Sequence, residues 1–592
     1  MKHINSIFFF LFSLSLYAQV EESVETITQK NLPQSHWKTS ALGDTILLPI
    51  IDEFTQKSFE PKQKYWVDNK VYINSTHAKN PLSTGVATFD GLDEAGFPYH
   101  PTNNKSDTLA DVLTSKYLDL SGDVNVFLSF YYQSGGLGEA PGPNDSLVVE
   151  FWAPGDTVWE QVWVKKGKQM NQLEPTIIAI DSSKWLGNGF RFRFGAYGAL
   201  NGAFDVWNID YVLMAANRNA SDSIVQDPAF AEPLPFFIKG FSNVPWFHFK
   251  NSILQDSLNT VYRRNGPTPS PPWSLTKNKH VLLMNGNIEQ NSPGFVNSTD
   301  PHNVDLSNPM IIDNFNPALP TDSFNLELVG VLPGTKVQPF TANDTITGIQ
   351  TFKNYYAFDD GSAERAYGVK NGFGTRMAIE LNPLQPDTLK GVYFRFAHAG
   401  EDATNYTFKI AIWENNSGIP GNLIYMSDSS YVPDYGYYHN SFIPYPLDTS
   451  IFINGSVFIG IRQNTEEAIY VGLDVNTPKT NNLHYGSSFV WYQSLVNATV
   501  MIRPYFKYQP HDISLLENQG LNAPIIFPNP ATDILHIKTE KTVTFFITDL
   551  MGRNILNGNS EREIDISELE SGIYIVTVLN GSEIYSEKII VK

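Results

Sequence analysis

Phe190-Arg191-Phe192-Arg193-Phe194 sets three rings against two guanidiniums in strict alternation. Successive side chains of an extended strand point to opposite faces, so the rings fall on one side and the cations on the other. A helix would scatter the rings around its axis. Working outward, the same period persists. Val126, Leu128, Phe130 and Tyr132 alternate with Asn125, Phe127, Ser129 and Tyr131, and 147–152 and 207–214 read as further strands. Turn residues separate them at Gly135-Gly136, Pro141-Gly142-Pro143 and Gly187-Asn188-Gly189. Short strands joined by Gly/Pro turns predict a β-sandwich over 50–216.

The pattern lapses over 217–350. Gly266-Pro267-Thr268-Pro269-Ser270-Pro271-Pro272 reads as an extended loop, and 281–284 and 324–332 as short strands. A small, irregular immunoglobulin-like domain with long loops is expected there. Alternation returns over 351–508, where Phe408, Ile410 and Ile412 oppose Lys409, Ala411 and Trp413. Val457-Phe458-Ile459-Gly460-Ile461 is a continuous apolar run, as expected of a central strand buried on both faces. Val500-Met501-Ile502-Arg503-Pro504 is expected to end this second sandwich, because proline lacks the donor a ladder needs. The polar segment 19–49 reads as an extended lead-in and 509–522 as a linker. The fold class is therefore all-β: two jelly-roll-like sandwiches, a small middle domain and a C-terminal mini-sandwich at 523–592.

A chain of 592 residues needs several cores. With 42% hydrophobic and 17% charged residues it should be globular, and 13% aromatics suit pleated surfaces. The formal charge of −20 argues against a nucleic-acid partner, which selects a basic face. No cysteine is present, which excludes disulfides, thiolate metal sites, a cysteine nucleophile and a lipid-bearing cysteine. Lys2 and His3 precede an apolar run over 4–16, followed by Tyr17-Ala18-Gln19. That run of about 13 residues is too short to span a bilayer and reads as a signal peptide over 1–18. No later stretch is apolar enough for a transmembrane helix.

Near the other end stand Phe527-Pro528-Asn529-Pro530-Ala531-Thr532-Asp533, Asp549-Leu550-Met551-Gly552-Arg553, Gly572-Ile573-Tyr574 and Lys588-Ile589-Ile590-Val591-Lys592, in that order. The series is similar to the type A sorting domain of Bacteroidota-type cargo for type IX secretion. The resemblance implies that Pro528, Asn529, Pro530, Asp533, Gly552, Arg553, Gly572, Tyr574, Lys588 and Lys592 carry the sorting signal. It further implies passage through the outer membrane by that machinery, to an extracellular or outer-membrane-surface location. Thr114-Ser115-Lys116-Tyr117-Leu118-Asp119-Leu120-Ser121 and Trp207-Asn208-Ile209-Asp210-Tyr211-Val212 resemble the early and closing strands of MAM-like or concanavalin-like jelly rolls. That likeness implies a non-catalytic adhesion or glycan-contact module. It also implies a structural calcium where first and last strands meet, with Glu53 and Asp210 as ligands; no other cofactor is expected.

No His-Glu-x-x-His, Gly-x-Ser-x-Gly or phosphate-loop motif occurs, so no catalytic residue is assigned. Asp359-Asp360-Gly361 reads as a turn in which Asp bonds its own backbone. Trp152, Trp159, Trp163, Arg191 and Arg193 are candidates for a glycan face, since sugars stack on rings and guanidiniums bind hydroxyls. Asp followed by Ser/Thr and an aliphatic residue recurs at Thr45, Thr108, Ser146, Thr157, Ser223, Ser257, Thr345 and Thr388. The pattern resembles O-glycosylation acceptors of bacteria that use type IX export; the competing reading is a turn that starts a strand. The expected function is an exported binding or adhesion protein for surface glycans or proteins. A secreted hydrolase and a structural surface-layer or gliding component are the alternatives.

Overall fold

The computed structural model describes residues 20–32, 37, 44–56, 58–102, 108–267, 274–275, 278–285, 287–294, 301–311, 323–332, 334–335, 340–436, 440–477, 482–506, 525–527, 531–538, 543–549, 554–560, 562–567, 569, 571–580 and 583–591. The leader, the 509–522 linker, most of the proline-rich loop, Pro528, Asn529, Pro530, Gly552, Arg553 and Lys592 lie outside them. Strands dominate, and the helices among the described residues are three-residue 3-10 turns at Trp246–His248, Asn251–Ile253 and Ala342–Asp344. Two compact units divide between Tyr508 and Gln509.

In the first sandwich, one sheet runs Glu160–Lys166, Ser146–Trp152, Asn188–Gly198, Tyr117–Asp119, Thr45–Ile46, with Thr108–Thr114 also paired to Asn188–Gly198. The facing sheet runs Glu174–Ile180, Val126–Ser134, Trp207–Ala215, Val86–Phe89, Tyr72–Asn74, with Ile50–Asp52 on Trp207–Ala215. Phe190, Phe192 and Phe194 are fully buried between them with Trp66, Phe130, Phe151 and Trp207. Each ring taken out of water contributes roughly 1.5–3 kcal/mol, which fixes the register of the long strand.

The middle segment pairs Asp227–Phe230, Ser257–Asn265 and Asp305–Ile311 in one sheet. Asn287–Gly294, Asn278–Met284, Phe324–Val331 and Thr345–Phe352 form the other. Phe230, Tyr262, Leu332 and Ile346 form a small buried cluster of its own, but its other large apolar side chains pack elsewhere. Phe249, Phe324 and Phe352 belong to the cluster that fills the second sandwich, and Phe324 stacks on Phe352 at 4.3 Å.

The second sandwich sets a six-stranded sheet (Ile419–Met426, Phe408–Asn416, Val457–Gln463, Arg376–Leu381, His484–Gly486, Trp491–Gln493) against two smaller ones. Val457–Gln463 is central, with Ile459 and Ile461 in the main core and Phe458 packed on Trp413 on the other face. Ile502–Tyr505 runs through Pro504 as the last strand of the unit, paired to Asp387–Phe394 on one side, while on the other Pro504 O accepts from Tyr356 N–H and Phe506 N–H donates to Asn354 O.

The lead-in does more than lead in. Glu21–Glu25 pairs antiparallel with Arg365–Lys370 and completes a sheet with Val471–Asp474 and Thr499–Val500. The chain then crosses to the first sandwich as a strap. Thr28 N–H donates to His398 O, Lys30 N–H to Gly96 O and Leu32 N–H to Ala95 O. Gly96 sits at φ +84°, and a Cβ there would stand 1.8 Å from Lys30 O, so the strap can lie this close only over glycine. Lys30 is buried, with its Nζ 2.8 Å from Asp90. Beside it, Thr76 of the first sandwich bonds Glu364 of the second, where Asp360, Glu364 and Asp474 crowd together.

The C-terminal unit is a smaller sandwich. Ile525–Phe527, Ile534–Lys538 and Glu563–Asp565 face Asn554–Ser560, Val543–Asp549, Gly572–Asn580 and Glu583–Val591 over Leu535, Ile547, Ile564, Val576 and Ile589. Asp533 is exposed; Gly572 and Tyr574 begin a strand, and Lys588 lies on the last one.

Candidate functional site

Burial of the three phenylalanines forces Arg191 and Arg193 outward, and antiparallel register places Trp152 opposite Arg191 and Glu150 opposite Arg193. Trp152 and Glu150 share that outer face because Phe151, between them, points into the core. The turn after Trp152 brings Trp159 back over the same face. Its ring lies 4.4 Å from the Arg193 guanidinium, 5.7 Å from that of Arg191, and edge-on to Trp152 at 5.4 Å. Tyr117, from the adjoining strand, lies 4.9 Å from Arg191. The result is a ladder, Tyr117–Arg191–Trp159–Arg193, with Trp152 at its side.

The two cations are held differently. Arg193 Nε donates to Glu150 Oε2 at 2.6 Å, a charge-matched pair. Arg191 Nε donates to the neutral Ser115 carbonyl at 3.1 Å. Burial lowers the Arg191 pKa from its ordinary value, with Tyr117 and Asp68 pulling the other way. Asp68 is itself pushed up to about 6 by burial and accepts from Thr114 N–H at 3.0 Å. All the ladder's aromatic and guanidinium members are half-buried, each with an edge in solvent.

Four of the five expected side chains therefore meet. Trp163 does not join them. A bulge between Gln161 and Trp163 shifts the register so that Trp163 opposes Val149 and turns inward. It packs edge-on to Phe130 at 5.3 Å and Tyr132 at 5.1 Å, half-buried against the core. Tyr117 and Glu150 went unassigned in the sequence, although Glu150 stands two residues before Trp152 and so shares its face.

Glu53 and Asp210 are near enough to repel each other, but protein donors already occupy both. Asp210 accepts from Ser83 Oγ at 3.1 Å and Tyr211 N–H at 2.6 Å, and burial drives its pKa well above the usual range. Glu53 accepts from Ala342 N–H at 2.8 Å. Among the described residues no three His, Asp or Glu side chains are grouped so as to hold a metal ion. Asp359 is bound to Arg503 at 2.5 Å and to its own turn through Gly361 N–H. Of the eight hydroxyls in the recurrent tripeptide, Thr45, Thr157, Ser257 and Thr345 are exposed; Ser146 is buried. Thr45, Thr108, Ser146, Ser257 and Thr345 each open a strand, as the turn reading expects.

Sequence reading also missed the clefts, whose walls come from distant segments. One of about 620 Å³ lies among Lys370, Gly400, Glu401, Tyr406, Glu467 and Tyr470. Another of about 500 Å³ lies among Glu25, Thr28, Phe97, Phe204 and Gly400, beside the strap.

A family model described as a secretion system C-terminal sorting domain matches residues 525–592. That match indicates export, handling by the type IX secretion system, and a cell-surface or secreted location. No helix among the described residues is long and apolar enough to cross a membrane. No curated protein matches the chain. Among solved structures, the Endo-D glycoside hydrolase domain from Streptococcus pneumoniae R6 aligns at 9% identity and TM-score 0.17, over 52% of this chain and 43% of that one. Tripeptidyl peptidase 2 aligns at 8% identity and TM-score 0.12, over 86% and 30%. The chain spans less than half the length of either, and likeness this low says nothing about activity.

Proposed function

We propose that this exported protein is a non-catalytic binding module that contacts saccharide through the indole–guanidinium ladder of its first sandwich, after a leader over 1–18 is removed. The observation that carries this reading is the assembly of Trp152, Trp159, Arg191 and Arg193 on one solvent-facing sheet surface. Half-exposed indoles supply apolar faces for sugar C–H groups, and the guanidinium edges supply donors for hydroxyls. None of the four is needed to fill the core, which Phe190, Phe192 and Phe194 close from the other face. The adhesion role suggested by the likeness to MAM-like modules is compatible with such a surface.

The test is a glycan array probed with the mature chain, followed by titration calorimetry on any hit. Trp159→Ala should weaken binding at least tenfold, about 1.4 kcal/mol, because it removes the ring that both guanidiniums rest on. Trp163→Phe should leave affinity unchanged. Absence of binding to every glycan, or equal affinity in Trp159→Ala, would defeat the proposal.

A further inference from the structure

The ladder's two cations are unequal, and the inequality points to a class of ligand. Arg193 is neutralised within the protein by Glu150 at 2.6 Å. Arg191 spends its Nε on a neutral carbonyl, and among the described residues no carboxylate stands within ion-pair distance of it. A guanidinium held half out of water with no anionic partner is costly unless something supplies the charge. The chain carries a formal −20, so its own acids were available to pair with it. The nearest, Asp68, is turned to the Thr114 amide instead.

From this asymmetry we infer that the ladder binds an anionic saccharide, one bearing carboxylate or sulfate groups, and that Arg191 receives the anion. The inference rests on the saccharide reading of the same face. The planar fork of a guanidinium matches a carboxylate or sulfate bidentately, and the Tyr117 and Trp159 rings lie 4.9 Å and 5.7 Å from it. Partial desolvation between the rings strengthens the attraction, since fewer waters screen it. Arg193, with its charge already matched, is left to donate to neutral hydroxyls. Residues 191 and 193 lie two positions apart on one strand, about 6.6 Å by strand rise. One charged and one neutral group can therefore be read along a short saccharide.

Three probes separate the possibilities: a galacturonate hexamer for carboxylate, a sulfated galactan oligomer for sulfate, and cellohexaose as the neutral control. With the mature chain at low salt, at least one anionic probe should bind tenfold or more tighter than cellohexaose. In Arg191→Gln that preference should shrink to within twofold, through a larger loss of affinity for the anionic probe than for cellohexaose. Arg191→Lys, which keeps the charge without the fork, should retain an intermediate preference. The preference should also fall as salt is raised, because an ion pair at a half-exposed site is screened. Equal affinity for neutral and anionic probes, or a preference that survives Arg191→Gln, would overturn the inference while leaving saccharide binding intact. No binding of any probe, cellohexaose included, would overturn both readings together. A thermal melt of each variant within about 2 °C of the parent excludes misfolding as the cause of a loss.

Discussion

Phe192 and Lys184 lie in the same sandwich and meet opposite fates. Phe192 is fully buried against Trp66 and Phe194. Phe192→Ala should cost about 3–5 kcal/mol in a denaturant titration, through lost burial and the cavity left behind. Lys184 pairs with Glu160 with both side chains about half exposed, at 48% and 51%. Lys184→Gln should therefore change stability by less than about 1 kcal/mol. The contrast was legible in the sequence wherever alternation was unbroken, because burial of Phe190, Phe192 and Phe194 dictates where Arg191 and Arg193 go. It failed at Trp163, where one extra residue in the strand turns a ring from the outer face to the core. Nothing in the local pattern of Glu160–Lys166 announces that bulge.

At the scale of elements, the strap is the part that sequence reading could not place. Glu21–Glu25 is short and polar, and a strand of that kind has no signature until its partner is known. Lys30 gives it a testable anchor. Lys30→Met should destabilise the first unit by about 3–5 kcal/mol, because Asp90 is left as an uncompensated buried charge. Adding Asp90→Asn should recover part of that loss, and chemical denaturation of the single and double variants measures both. Recovery would identify the stranded carboxylate, rather than lost packing of the lysine stem, as the main cost. Pro504 makes a related point: its strand was legible, but its second partner, the 354–356 segment whose Tyr356 N–H bonds Pro504 O, was not.

For the molecule as a whole, the crowded acids between the two large sandwiches link stability to pH. Ser362 Oγ lies 2.8 Å from both Asp360 Oδ1 and Glu364 Oε1, and its single proton can serve only one. Burial, then repulsion from Asp360, pushes Glu364 up to about 7 and Asp474 up to about 8. Both are raised above their unfolded values, so the native state holds the extra protons between roughly pH 4 and pH 8. The contribution is complete at low pH and is lost as pH rises through the folded values. Melts followed by tryptophan fluorescence should show the first unit losing stability from pH 5 to pH 9, and Glu364→Gln should flatten that slope. All eleven tryptophans precede residue 492, so the signal ignores the C-terminal unit. Asp360 was visible in sequence as part of the Asp359-Asp360-Gly361 turn, but its convergence with Glu364 and Asp474 was not, since Thr76, Asp360 and Asp474 are brought together only by tertiary structure. The strap has one more consequence, in time rather than in space. Glu25 and its partner Lys370 are 345 residues apart. At about 5–20 residues per second, a ribosome makes the second roughly 20–70 s after the first. Throughout that interval the earliest-made strand has no edge to join, and its backbone groups stay bonded to water until Arg365–Lys370 is made.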